Sequence, residues 1–306
     1  MATSTVGLIN NWFPPNRENY NLILSVWKWF PLAASLQWLI PWYGMGKTSV
    51  TSRLNLPGRI GWLTMEAPGF LTLLYHLYSL PAQVHPDLLH SGEGLPWQNK
   101  VLAFLFVLHY AYRALLFPFL QPSMSPLHLV IWLSGLCFQL TNGLALGSWL
   151  AAYGPATQAE WAATGSATTA RFAAGIALFY VGLAANYYHD DELREIRRRA
   201  ARRARAQQEK DGSGGKNKAK GGVDKHYEIP QAGLFKVMLY PHYFTEWVEW
   251  FGFWMAAGWG CVPARCFLLN EIAAMLPRAV SGRKWYVEKF GEERIGKRWA
   301  VVPGVW

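Results

Sequence analysis

The chain has 306 residues, of which 52% are hydrophobic and 16% charged, and its formal net charge is +10. Water-soluble domains spend about 25% of their residues on charge; here the charges are clumped, and the long apolar stretches between them argue against an ordinary soluble domain. Three cysteines, Cys137, Cys261 and Cys266, supply neither a disulfide framework nor a paired metal knuckle.

Residues 1–19 read as a mostly polar tail without the apolar core and small-residue cleavage site of a signal peptide. The first apolar helix therefore serves as an uncleaved anchor. Apolar helices are predicted over 20–41, 61–82, 99–120, 127–150, 169–189, 233–259 and 262–280. Several reach the roughly 20 residues that a bilayer crossing needs. The 17 Trp and 14 Tyr fit a large lipid interface, where amphipathic rings settle at headgroup depth. Pro31, Pro68 and Pro118 fall in or near these spans, which membrane helices tolerate when neighbours satisfy the freed carbonyls. Gly, Pro, Ser and Thr mark loops at 44–58, 83–97 and 153–166. The expected architecture is all-α: one domain over 1–306, folded as a bundle of seven transmembrane helices.

Arg194, Arg197, Arg198, Arg199, Arg202, Arg203 and Arg205 lead into a Lys/Gly-rich tract, and a basic mobile loop is expected at about 198–225. Because it abuts an apolar segment, it reads as a flank held on the cytoplasmic side by the positive-inside rule rather than as a nucleic-acid site.

Polar residues inside apolar segments mark the candidate site. Glu66 interrupts an apolar run, where a carboxylate facing lipid is costly, so it is expected to face the bundle interior; a place in the headgroup layer is the blander reading. Tyr110 and Arg113 share a helical face at i,i+3. From the residues alone they read equally as phosphate and proton groups or as interfacial side chains. Asn186, Asp190, Arg194 and Arg197 form a stripe where an apolar helix meets water, suited to an anionic, hydrogen-bonding ligand. His242, Glu246, Glu249 and Trp250 share a further face; no His-x-x-His cluster accompanies them, so no metal is expected. Asn142 and Gly143 read as a close-packing point. The Gly44-Met-Gly46-Lys47-Thr48 segment lacks the spacing of a phosphate loop, and no Gly-x-Gly-x-x-Gly is present.

From about Tyr43 to Trp306 the sequence resembles the steroid 5-alpha-reductase family of membrane enzymes. The resemblance is carried by Asn186 through Arg197, Tyr227-Glu-Ile-Pro-Gln-Ala-Gly-Leu-Phe235, Glu246-Trp-Val-Glu-Trp250, Pro277-Arg-Ala279 and Lys284-Trp-Tyr-Val-Glu-Lys-Phe290. It implies NADPH-dependent reduction of the carbon–carbon double bond of an enone lipid, most simply a 3-oxo-delta-4 steroid. It further implies a monomer in the endoplasmic reticulum membrane, multi-pass, with cofactor site and C-terminus facing the cytosol.

The resemblance assigns carbonyl activation to Glu66 and Tyr110. Tyr43, Arg113, Asn186, Asp190, Arg194, Arg197, Tyr227, His242, Glu246, Trp250, Arg278 and Tyr286 match positions near the cofactor. A carboxyl group shut away from water favours its neutral form, so Glu66 would have a proton to donate. Four departures bear on the substrate: Met65 where animal steroid reductases have glutamine, His242 for asparagine, Phe117 for tyrosine, and Gly282 near an expected histidine. Enoyl thioesters and polyprenoids are alternative substrates, and a non-enzymatic membrane adaptor holding anionic lipid is the alternative class.

Overall fold

Asn16 opens the first helix: its side-chain oxygen accepts a hydrogen bond from the Asn19 amide at 2.8 Å, satisfying a donor the helix cannot. Helix α1 accordingly runs Arg17–Ser35, three residues earlier than the composition predicts. The structure, a computed structural model, describes residues 10–40, 42–46, 49–87, 92, 94–164, 168–210 and 227–305. Residues 1–9 of the expected tail, Lys47, Thr48 and residues 211–226 of the expected basic loop lie outside the described residues.

The chain continues through α2 (Gly58–Val84), α3 (Trp97–Leu120), α4 (Leu129–Tyr153), the short α5 (Gln158–Ala163), α6 (Thr168–Lys210), α7 (Pro241–Ala257), α8 (Val262–Phe290) and the single-turn α9 (Glu292–Ile295). Two short strands, β1 (Asn55–Leu56) and β2 (Leu127–His128), pair antiparallel and clip the start of α2 to the start of α4. Trp97–Leu120, Leu129–Tyr153 and Thr169–Ala206 are the three helices that are, by length and composition, able to cross a membrane among the described residues. The outer surface agrees with that reading: Val26, Trp29 and Leu32 of α1 are 63%, 66% and 63% exposed, an apolar face too continuous for water.

Two helix pairs form the frame, α2 with α4 and α6 with α7. In the first, Gly143 lies against the backbone carbonyl of Gly69, so close that any side chain there would collide with it. In the second, a β-carbon on Gly252 would come within 2.7 Å of the Gly175 carbonyl. Small residues let the backbones touch, as membrane helices require when burial of apolar surface gives no drive.

Two elements differ from expectation. Helix α6 does not stop near residue 189 but continues to Lys210, so the first part of the basic tract is helical rather than a loop. At 1.5 Å per residue its 43 residues span roughly 65 Å, about twice a bilayer core of roughly 30 Å. Ion pairs along the projecting half explain its persistence: Arg198 meets Asp191 at 3.4 Å, Arg199 meets Glu192 at 3.7 Å, and Arg202 meets Glu195. The segment predicted as a helix from residue 233 instead makes a short 3-10 turn, Gly233–Lys236, and pairs its backbone with Trp299 and Ala300 before α7 begins at Pro241. Proline fits a first helical turn because its missing N–H has no partner there.

Candidate active site

Helices α1, α2, α3, α4, α7 and α8 meet around a cavity of about 450 Å³ whose wall includes Glu66, Tyr110, Arg113, Gln139, Glu246, Glu271 and Arg278. Glu66 and Tyr110 are both buried, at 8% and 1% exposed. Gln139 Nε2 donates to Glu66 Oε2, tying the carboxyl of α2 to α4. Tyr110 is wedged among aromatic rings, with centroids 4.7 Å from Phe106 and 4.9 Å from His109. Immediately after Tyr110 the helix widens into a π turn over Ala111–Leu116. Pro118, which has no N–H to return to the preceding turn, accounts for the break, and Trp62 Nε1 takes up the freed Arg113 carbonyl at 2.9 Å. Arg113 borders the same cavity as Tyr110.

Behind this wall lies a buried polar network. Arg113 pairs with Asp190 at 3.2 Å and with Glu246 at 3.8 Å, and its guanidinium covers the Phe117 ring at 4.7 Å. Asn186 donates to the His242 carbonyl at 2.8 Å and to Glu246 at 3.2 Å, joining α6 to α7. His109 Nδ1 is hydrogen-bonded to Glu249 Oε1 at 2.8 Å. With carboxylates and guanidiniums interleaved, neither charge is buried alone.

A second cavity, about 350 Å³, is bordered by Tyr43, Arg113, Arg197, Tyr227, Tyr240, His242, Arg278, Gly282 and Tyr286. A third, about 230 Å³, adjoins it along Arg113, Asp190, Arg197, Tyr227 and His242 and also touches Phe117. Arg278 donates to the Tyr43 hydroxyl at 2.9 Å and Arg197 donates to Gln121 at 3.3 Å. Burial raises the Tyr227 hydroxyl above its ordinary pKa against the lowering field of Arg197, so this phenol keeps its proton at neutral pH and can donate, as can the phenol of Tyr286 on the same wall. The first two cavities share Tyr43, Trp62, Arg113 and Arg278 as a common wall.

The sequence profile of the 3-oxo-5-alpha-steroid 4-dehydrogenase family matches residues 125–209 and 216–306. The chain belongs to that family. Relatives in the family include the Bos taurus 3-oxo-5-alpha-steroid 4-dehydrogenase 1, 30% identical over 78% of this chain and 78% of its own length. The steroid 5-alpha-reductase DET2 of Solanum lycopersicum is 28% identical over 90% of this chain and 91% of its own. An uncharacterised Schizosaccharomyces pombe protein is 34% identical over 84% and 89% respectively.

Of the residues that the family resemblance singles out, eleven border the three cavities: Tyr43, Glu66, Tyr110, Arg113, Asp190, Arg197, Tyr227, His242, Glu246, Arg278 and Tyr286. Asn186, Arg194 and Trp250 stand behind the walls. Asn186 ties two helices, as above. Arg194 is fully buried, donating to the Tyr112 hydroxyl at 2.8 Å and to Asp191 at 3.1 Å. Trp250 packs on Phe267 and His109, with centroids 4.5 and 4.7 Å away, and supports the histidine beside Tyr110. Two wall residues were not among those predicted. Gln139 sits in an otherwise apolar helix, and Glu271, 7% exposed, has no hydrogen-bond partner for its Oε2 among the described residues. A polar residue in an apolar span was the available signal for both. Among the departures, Met65 is buried on the larger cavity's wall, and His242, half-buried, borders the other two. Among the described residues no three His, Cys, Asp or Glu side chains converge as a metal site.

Proposed function

We propose that this chain is an NADPH-dependent membrane reductase that saturates the carbon–carbon double bond of an enone lipid, with 3-oxo-delta-4 steroids as the leading substrate class. One observation carries the reading. Glu66 and Tyr110, from separate helices, face a mostly apolar cavity that shares a wall with a second cavity lined by guanidiniums. The names of relatives in the family, steroid 5-alpha-reductase among them, support the same chemistry.

The donor set of the second cavity fits a polyanionic dinucleotide: Arg113, Arg197 and Arg278 offer charge-assisted hydrogen bonds, and Tyr227 and Tyr286 offer neutral ones. NADPH bound there supplies the hydride taken by the beta carbon. Glu66, as the neutral acid, and Tyr110 donate hydrogen bonds to the carbonyl oxygen as negative charge gathers on it. Their burial keeps water from competing for that oxygen. Tyr110 or a water held in the cavity delivers the proton to the alpha carbon. Glu246, anchored by Asn186 and Arg113, is assigned to the carboxamide of the nicotinamide.

The same reading takes α1, α2, α3, α4, α6, α7 and α8 as seven crossings of the endoplasmic reticulum membrane by a monomer. The arginine-rich end of α6 then lies in the cytosol, as the positive-inside rule demands. Purified protein incubated with NADPH and a panel of enone steroids, sterols, enoyl thioesters and polyprenols tests the proposal. Product masses two hydrogens heavier from the enone steroids, with matching NADPH consumption, support it. Reduction of thioesters or polyprenols alone reassigns the substrate, and no NADPH consumption with any of them overturns the enzyme reading.

A further inference from the structure

Tyr240 is the residue that immediately precedes α7, at its N-cap. Its backbone is pinned: the Tyr240 amide donates to the Ala300 carbonyl at 2.9 Å, and the Leu239 amide donates to Trp299 at 2.9 Å. The fixed backbone sends a buried side chain, 9% exposed, to the wall of the guanidinium-lined cavity. There it meets Gly282, in the middle of α8 and on the same wall. A β-carbon added to Gly282 would fall on the Tyr240 hydroxyl oxygen and Cζ, and 2.8 Å from its Cε2.

Glycine inside a helix lowers stability relative to alanine. Its presence at 282 thus has a cause to be found, and the cause in view is the phenol that occupies the space of its side chain. At this place the family resemblance leads to the expectation of a histidine. Here the volume is filled from the neighbouring segment instead. A phenol is an apolar body with one polar tip, and this one is brought to a cavity bordered by Arg197, Tyr227, Arg278 and Tyr286. Those neighbours supply donors for oxygen-rich, negatively charged groups.

We propose that Tyr240 and Gly282 work as a pair in the dinucleotide site: Gly282 leaves the room, and the Tyr240 hydroxyl placed in it hydrogen-bonds an oxygen of the bound dinucleotide. The inference rests on the cofactor reading above and adds two residues to it. Its signature is coupling between two positions on different elements, because Gly282 matters only through the hydroxyl it admits.

The test is equilibrium binding of NADPH to the purified full-length protein, followed by its fluorescence, with a melting curve for each variant in the absence of ligand. Tyr240→Phe removes one oxygen and keeps the ring; it is expected to raise the NADPH dissociation constant about tenfold, as loss of a hydrogen bond does, in a variant whose melting curve shows it folded. Gly282→Ala displaces the hydroxyl and should weaken binding similarly. The double variant should bind no worse than Tyr240→Phe alone: the added methyl still presses on the ring carbons Cζ and Cε2, but the hydroxyl that Gly282 admits to the dinucleotide is already gone. Wild-type affinity in Tyr240→Phe, or additive losses in the double variant, would overturn the pairing while leaving the cofactor reading intact. Folded wild-type protein that takes up no NADPH would overturn both. If Gly282→Ala fails to fold, Tyr240→Phe alone decides.

Discussion

Gln139 of α4 donates a hydrogen bond to Glu66 of α2, across the helix interface held closed by Gly143 and Gly69. The contact fixes a carboxyl group that has free rotation about its own side-chain bonds. Misplacement of a reacting group by a fraction of an ångström costs rate without costing ligand affinity. Gln139→Leu is therefore expected to lower kcat about tenfold, roughly 1.4 kcal/mol, with NADPH affinity unchanged. Steady-state kinetics beside a binding titration checks it, and a kcat equal to that of the unaltered protein would remove Gln139 from the site.

Glu66→Gln and Tyr110→Phe each delete a proton donor proposed for the carbonyl oxygen and keep the shape of the cavity. Loss of one oxyanion donor commonly costs about 10²–10³ in turnover, so each variant should lose at least about tenfold while still binding NADPH. Full turnover in both variants would dismiss their assigned roles.

Arg194 and Arg197 should behave differently although they share a helix. Arg197 borders two cavities, and its replacement by alanine should weaken NADPH binding by roughly 1–3 kcal/mol, the worth of a hydrogen bond to a charged group. Arg194 borders none of the three cavities and gives Nε and Nη1 to Asp191 and Tyr112; Arg194→Ala should instead lower the melting temperature, by a stability loss of roughly 1–3 kcal/mol. Comparison of melting curves and NADPH titrations separates the two, and the reverse pattern would refute the division.

Gly143→Ala should destabilise the protein without touching any ligand. The added methyl meets the Gly69 backbone carbonyl, which cannot rotate away. Forced overpacking of this kind costs about 1–3 kcal/mol, visible as a lower melting temperature in detergent. An unchanged melting curve would show that α2 and α4 can separate freely.

The apolar spans and the inward place of Glu66 were legible because a carboxylate stands out against lipid-like surroundings, whereas Tyr110 and Arg113 read from the residues alone equally as interfacial side chains and were singled out by the family resemblance. The stripe on α6 was legible only as a face. At 100° per residue, Asp190 and Arg197 lie about 20° apart around the axis, whereas Arg194 lies about 40° from Asp190 on its other side and about 60° from Arg197. That offset is enough to turn Arg194 into the helix interface with Tyr112 while the other two reach the cavities. Gln139 and Glu271 carried only the signal of a polar group in an apolar span, and the partner that gives Gln139 its place lies in another helix and leaves no trace in local periodicity. The helical course of residues 198–210 was obscured by composition. An arginine-rich run reads as solvated chain until acids one or two turns earlier are counted against it, and Asp191, Glu192 and Glu195 are those acids.

The partition made by Tyr43, Trp62, Arg113 and Arg278 has a kinetic consequence for the proposed chemistry. A lipid-soluble reactant and a water-soluble one would use separate doors and meet only across that septum. Under the proposed function, spent dinucleotide would depart while the lipid product is still in place, and a membrane crowded with product would congest one doorway and leave the other free.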